Sequence, residues 1–284
     1  MKKLVLLILF LFCSTSAFAK VNVVTSTFIL SSIVKSIGGE YVNVSYIIPS
    51  ASNPHIFSPT PKSLQSLTRA DLVVLCGFGF EFWYDNIKDM LKDKKILILS
   101  KFYKHPIDKR RVDGAIIANP HIWLDMKFVK NSVTPLIERK LCGIDNRHCG
   151  QFKKNADHFR NRLQELIDEY GSFFKRHNSV CFLDVMPAFE YFLRSFGKSS
   201  CYLVAKKGDE EPTIGNISNA SKYCTCKKGL ILYISNKQLA TMLSERLHYI
   251  PVELNPLGSP SDNIKDNYTK LMRYNLNQLK RALQ

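Results

Sequence analysis

The chain has 284 residues, 45% of them hydrophobic, and its 40 Lys and Arg against 24 Asp and Glu leave a net charge of +16. That length allows one large domain or two medium ones, each with its own core. The positive charge first suggests nucleic acid, but the basic residues are scattered rather than striped, so no nucleic acid is expected as a partner; a solvated basic surface drawn to anionic lipid or an acidic docking face fits better.

At the N-terminus, Lys2 and Lys3 precede the apolar run LVLLILFLF, and small residues end in Ala17-Phe18-Ala19. This is the pattern of a secretory signal peptide cleaved after Ala19, and the run is too short to span a membrane. Cys13 follows the bulky Phe12, where a lipoprotein signal wants a small residue, so the mature chain is expected to be exported and soluble. Seven of the eight cysteines lie beyond Ala19. Cys142 and Cys149 bracket a short loop, and Cys181, Cys201, Cys224 and Cys226 offer at least one more bridge, with an odd thiol left over.

The mature chain opens with VNVVTSTF, a β-branched strand, followed by FILSSIVKSIGG, a helix closed by glycine. VNVSYIIP is the next strand; SPTPKSLQSLTRA opens a helix with Pro61 in its first turn, and DLVVLC is a strand again. KKILILS and GAIIA are further short apolar runs. Strands alternating with helices predict a mostly parallel sheet with helices on both faces. From Cys149 to His177 the rhythm changes. Phe152, Ala156, Phe159, Leu163, Leu166, Tyr170 and Phe173 recur in steps of three and four, which predicts one long amphipathic helix. Alternation then resumes through SVCFLDV, FEYFLRSFG, CYLVA, GLILYI and HYIPVEL, and DNYTKLMRYNLNQLKRAL reads as a closing helix. The expected organisation is a signal peptide (1–19), an α/β lobe (20–148), a linking helix (149–177) and a second α/β lobe (178–284).

One tetrapeptide, NPHI, occurs twice: at Asn53-Pro54-His55-Ile56 and Asn119-Pro120-His121-Ile122. Each follows an apolar run that reads as a strand, and ligands of open parallel sheets bind beyond the carboxyl ends of the strands. The proline stiffens the turn and restricts the residue before it, so the histidine leaves from a fixed base. A single such histidine is more often a loop filler. Two of them in one lobe point to a pair of metal ligands.

Four stretches then resemble the metal-site segments of solute-binding proteins serving zinc and manganese ABC transporters, the ZnuA/TroA-like group. They are NPHIFSPTPKSLQSLTRADLVVLCGFGFEFW, NPHIWLDMKFVK, FLDVMPAFEYFLRSFG and PVELNPLGSPSDNIKDNYTKLMRYNLNQLKRAL. They cover essentially the whole mature chain in the family's order. The resemblance implies two similar α/β lobes with mostly parallel sheets, one long backbone helix joining them, and a metal site in the cleft between. It also implies a periplasmic protein, monomeric and without catalysis, that delivers one transition-metal ion to a membrane permease. That ion is zinc by resemblance, with manganese or copper as alternatives.

Carried over by position, His55 and His121 fill the first two ligand sites intact. The third, usually histidine or glutamate, is Met186; the fourth, usually aspartate, is Asn255. Asp184 and Glu253 each lie two residues earlier, on the same strand face as the altered positions, and are candidate substitute donors. A thioether with imidazoles favours Cu(I), whereas Zn²⁺ and Mn²⁺ prefer imidazole and carboxylate. Two alternatives therefore stand beside zinc or manganese capture: a soft-metal binder, and a binding or adhesion protein whose metal site has degenerated. Cys76, at a strand end, reads first as a buried structural cysteine and second as a soft-ligand candidate, and Asp125 is a candidate partner for an imidazole. His148 and His177, flanking the long helix, read as solvated. A zinc hydrolase is disfavoured by the absence of HExxH and GxSxG.

Overall fold

The computed structural model describes residues 19–50, 52–108, 110–112, 115–202, 224, 226–263 and 267–284. Residues 1–18 of the expected signal peptide lie outside them. No helix among the described residues is long and apolar enough to cross a membrane.

Strands Val21–Thr25 (β1), Val42–Tyr46 (β2), Leu72–Leu75 (β3) and Ile96–Ile98 (β4) form a four-stranded sheet in the order β2-β1-β3-β4. Each neighbouring pair is parallel. The run GAIIA does not extend this sheet. Ala115–Ile117 (β6) pairs antiparallel with Arg110–Val112 (β5) in a separate two-stranded ribbon. A second sheet holds Cys181–Asp184 (β7), Cys201–Tyr202 (β8), Gly229–Tyr233 (β9) and Ile250–Glu253 (β10), ordered β10-β9-β7-β8 and again all parallel. In both sheets the first strand of the lobe lies between the second and third, and the fourth lies outside the third. The two lobes therefore share a topology. The central strands LVVL and GLILY are buried at every position, because helices cover both faces and no polar alternation is needed.

The helix Cys149–Arg176 runs 28 residues, about 42 Å at 1.5 Å per residue. All seven residues of its predicted stripe are buried, joined by Ile167 and Phe174. Its apolar side packs into one core that includes Val23, Leu72 and Val74 from the first sheet and Phe182, Leu230 and Leu232 from the second. Alternate residues of the second sheet, Leu183, Ile231 and Tyr233, face a smaller core with Leu239, Leu243 and Tyr249. Two disulfides, Cys181–Cys226 and Cys201–Cys224, tie that outer side together. So both cysteines of CTC are structural, each bound to a different strand. The third bridge, Cys142–Cys149, closes the short loop before the long helix. Here the expectation that His148 is solvated fails: its Nδ1 lies 2.6 Å from Asp145 Oδ2 and its ring stacks on Tyr41 at 4.2 Å.

Helix starts follow local chemistry. Thr60 accepts the Ser63 N–H at 3.2 Å in front of Pro61, and Asn236 and Asn267 cap Lys237–Leu247 and Tyr268–Leu283 in the same way.

Candidate metal centre

Parallel strands bring the carboxyl ends of β1–β4 to one edge of the first sheet; the first NPHI turn follows β2 in the chain, and the second is tied through Pro120 to Cys76, the residue after β3. Pro54–Ile56 is a 3₁₀ turn after β2. The His55 side chain lies outside the described residues.

His121 is buried, at the start of the 3₁₀ turn Ile122–Leu124. Its backbone N–H donates to Asn119 Oδ1 at 3.1 Å, and its ring Nδ1 lies 2.8 Å from the same oxygen. With the proton on Nδ1, the imidazole lone pair is on Nε2, the arrangement of a histidine that ligates a metal through Nε2. Its partner is therefore Asn119 and not Asp125. Asp125 instead accepts the Phe128 N–H at 3.0 Å and the Tyr103 hydroxyl at 2.8 Å, capping the helical turn that begins at Met126.

Beneath this turn, the Cys76 thiol donates to the Pro120 carbonyl at 2.8 Å. Burial pushes the thiol well above its usual range, so this cysteine props the turn as a neutral donor. The adjacent loop is bent through left-handed backbone at Gly77, Phe78 and Gly79 (φ 88°, 56° and 84°). A Cβ on Gly77 would lie 2.0 Å from Ser100 Oγ, so only glycine fits there. Glu81 holds the bend by accepting the N–H groups of Cys76 and Gly77, each at 2.8 Å. The bend sets Phe80 edge-on against Trp123 at 5.1 Å, and Trp123 in turn lies 5.2 Å from the His121 ring.

Buried hydrogen bonds join this turn to both altered segments of the second lobe. Asn119 Nδ2 donates to the carbonyl of Pro187, the residue after Met186. Tyr191 donates its hydroxyl to the Asn119 carbonyl at 3.0 Å. Trp123 Nε1 donates to the carbonyl of Pro256, the residue after Asn255, at 2.9 Å, and Tyr268 donates to the Trp123 carbonyl at 2.8 Å.

Met186 is half-buried in the turn that follows β7. Asp184 is 1% exposed at the end of that strand; Oδ2 accepts the Phe189 N–H at 2.7 Å, while Oδ1 is buried without a hydrogen-bond partner. Burial, ahead of the Glu190 charge, raises its carboxyl well above the usual range. Asn255 shapes its own turn. Oδ1 accepts the N–H groups of Leu257 and Gly258 at 2.9 and 2.8 Å, and its backbone is held at both ends by the buried Asn275 amide. Glu253 is exposed at the end of β10, paired in register with Tyr233. Among the described residues no three His, Cys, Asp or Glu side chains form a group able to hold an ion. The candidate side chains carried by the joined segments are of mixed chemistry: an imidazole, a thioether, an amide and one buried carboxyl.

Asn119, Tyr191 and Asn275 were not singled out from sequence. For Asn119 a signal was there, since an asparagine two residues before a backbone N–H forms a side-chain turn with it. The other two act across 72 and 20 residues and carry no local signal.

The family model for the periplasmic zinc-uptake complex component A matches residues 23–282. The manganese-binding lipoprotein MntA of Halalkalibacterium halodurans is 27% identical over 69% of this chain and 65% of its own. The zinc-binding lipoprotein AdcA of Streptococcus pneumoniae is 26% identical over 93% of this chain, which spans 56% of AdcA. A metal ABC transporter substrate-binding lipoprotein of Lactococcus lactis is 23% identical, covering 93% and 88%. Among solved structures, a crystal structure of ZnuA superposes with a TM-score of 0.77 at 20% identity, covering 93% of this chain and all of that one.

Proposed function

The chain belongs to the periplasmic zinc-uptake component A family, metal-binding components of ABC transporters and not enzymes, and on that premise we propose that it captures one transition-metal ion between its lobes and hands it to a membrane permease. The carrying observation is the set of buried hydrogen bonds that joins the His121 turn to the segments of both Met186 and Asn255. In this reading His55 and His121 supply imidazole nitrogens from the first lobe and Met186 a thioether from the second. The turn shaped by Asn255 lies at the fourth position. The candidate carboxylate for Zn²⁺ or Mn²⁺ is Asp184, whose buried Oδ1 has no hydrogen-bond partner and whose carboxyl, favoured neutral by burial, would give up its proton as the ion binds, with the exposed Glu253 as the alternative. The cargo in this proposal is zinc, after the description of the family model, with manganese the alternative that a relative such as MntA raises.

The long helix packs into both sheets, so large hinge motion is disfavoured. Release follows from local shifts where the second lobe's segments meet the His121 turn. The ion is cargo throughout, and the protein supplies donors, dehydration and a docking face. Export as a signal-cleaved protein from Lys20 onward completes the reading.

The test is a competition titration of chelator-stripped protein from Lys20 with Zn²⁺, Mn²⁺ and Cu(I). One-to-one zinc binding lost in His55→Ala and His121→Ala, and weakened in Asp184→Asn, is expected. A preference for Cu(I) that disappears in Met186→Ala would instead make the site a soft-metal one. Zinc binding unchanged in a His55→Ala/His121→Ala double variant would overturn the site.

A further inference from the structure

One amide spans the two lobes at the His121 turn. Asn119 Oδ1 accepts the backbone N–H of His121 at 3.1 Å and meets its Nδ1 at 2.8 Å, while Nδ2 donates to the Pro187 carbonyl. The amide's orientation is decided by partners of invariant polarity, because a backbone N–H can only donate and a proline carbonyl can only accept. The oxygen therefore faces His121, and Nδ1 of that ring must carry its proton to meet it. Asn119 is itself gripped at the main chain. Its N–H donates to the Ile107 carbonyl at 2.9 Å and its carbonyl accepts the Tyr191 hydroxyl at 3.0 Å; that hydroxyl accepts the Ile107 N–H at 2.9 Å. The side chain is buried, so neither end of the amide has water as an easy substitute.

We propose that Asn119 is a positioning residue that couples the orientation of His121 to the placement of the opposite lobe. The carboxamide is planar and rigid. A rotation that turns Oδ1 away from the imidazole also swings Nδ2 off Pro187, and a displacement of Pro187 loosens the imidazole. Pro187 follows Met186, so the same amide registers the position of the third ligand segment against the second. Docking that shifts the second lobe would thus free His121 to give up its ion, without any group in the site being protonated. Asparagine alone does this: an aspartate accepts from His121 but repels the Pro187 carbonyl, and leucine does neither. This inference rests on the reading of His121 as a metal ligand.

The experiment uses chelator-stripped protein from Lys20, labelled with ¹⁵N-histidine, at pH 8, where an ordinary imidazole is neutral. The imidazole nitrogens report the tautomer directly, without metal, and zinc competition reports affinity. Wild type is expected to hold His121 with its proton on Nδ1. Asn119→Leu should move the proton toward Nε2 and weaken zinc binding roughly 10- to 100-fold. Asn119→Asp should keep the Nδ1 proton yet speed amide hydrogen exchange at Ala188, whose N–H closes the Met186 turn. A wild-type His121 protonated on Nε2 would overturn the proposal. So would zinc affinity within twofold of wild type in both variants while His121→Ala abolishes binding. If His121→Ala binds zinc normally, the metal reading falls and the coupling proposal falls with it, even where the tautomer result leaves the Asn119 contact standing. Should Asn119→Leu fail to fold, the wild-type tautomer and the Asn119→Asp exchange and affinity data still decide.

Discussion

Trp123→Phe is the substitution that most directly probes the join between the lobes. Trp123 is 1% exposed, with its Nε1–H 2.9 Å from the buried Pro256 carbonyl and its ring between Phe80 and His121. Phenylalanine keeps an aromatic face toward both neighbours but has no donor. The Pro256 carbonyl is then buried and unpaired, which costs about 1–3 kcal/mol. The lost second ring leaves a void of roughly 40 Å³, worth about 1 kcal/mol more at the usual cavity coefficient. The sum is about 2–4 kcal/mol, large beside the 5–15 kcal/mol by which folded domains are stable. Urea unfolding of the metal-free mature protein, followed by circular dichroism, gives the change at constant slope, and zinc competition on the same samples tests the site. Weaker zinc binding is expected too, because the Asn255 turn loses its tie to the His121 turn. A loss below about 0.5 kcal/mol, the range of an ordinary surface substitution, would refute the bond and the join built on it.

Asn255→Asp keeps an acceptor for the Leu257 and Gly258 N–H groups and adds a charge, so zinc affinity should rise about tenfold or more in competition titration; an unchanged affinity would show that position 255 does not face the ion. The hydrogen bond from His148, with Arg147 beside it, holds the Asp145 carboxyl below its usual range of about 3.8. A depressed folded value stabilises above the unfolded one and is lost as pH falls through the folded one. Asp145→Asn should therefore cost about 1–2 kcal/mol at pH 6 in urea unfolding, a deficit that shrinks steadily below pH 4; an equal deficit at both would contradict the pairing. Replacing Cys181 and Cys226 by serine opens a span of 45 residues and should lower stability by about 4 kcal/mol in non-reducing guanidinium unfolding. A change under about 1 kcal/mol there would mean the outer core holds without its staple.

Much of the fold was legible because it follows from local period. The stripe from Phe152 to Phe173 recurs at helical spacing and is buried at each of its positions, since a helix that long must bury one face to persist. VNVVT, LVVL and CFLD are strands because β-branched and apolar runs suit a sheet covered on both sides. The run GAIIA looked no different, yet it pairs with Arg110–Val112 as an antiparallel ribbon. An apolar run of three carries no information about its partner. The cysteines behaved likewise. Cys142–Cys149 was readable from a short loop, whereas Cys181–Cys226 and Cys201–Cys224 depend on strands adjacent in space and distant in sequence.

The candidate site divides along the same line. By itself the sequence showed two histidines each following an Asn-Pro pair, named Met186 and Asn255 as the second-lobe candidates, and pointed to the family whose model the chain matches. Each of these is a property of a few consecutive residues. Only the tertiary structure decided that Asn119 holds His121, that the Asn255 oxygen builds its own turn, that Cys76 props Pro120, and that Asp184 is buried with an unpartnered oxygen while Glu253 is exposed. Asp184 and Glu253 stand at equivalent offsets in sequence. They differ because β7 runs through the middle of its sheet and β10 along its edge, and desolvation depends on what surrounds a strand.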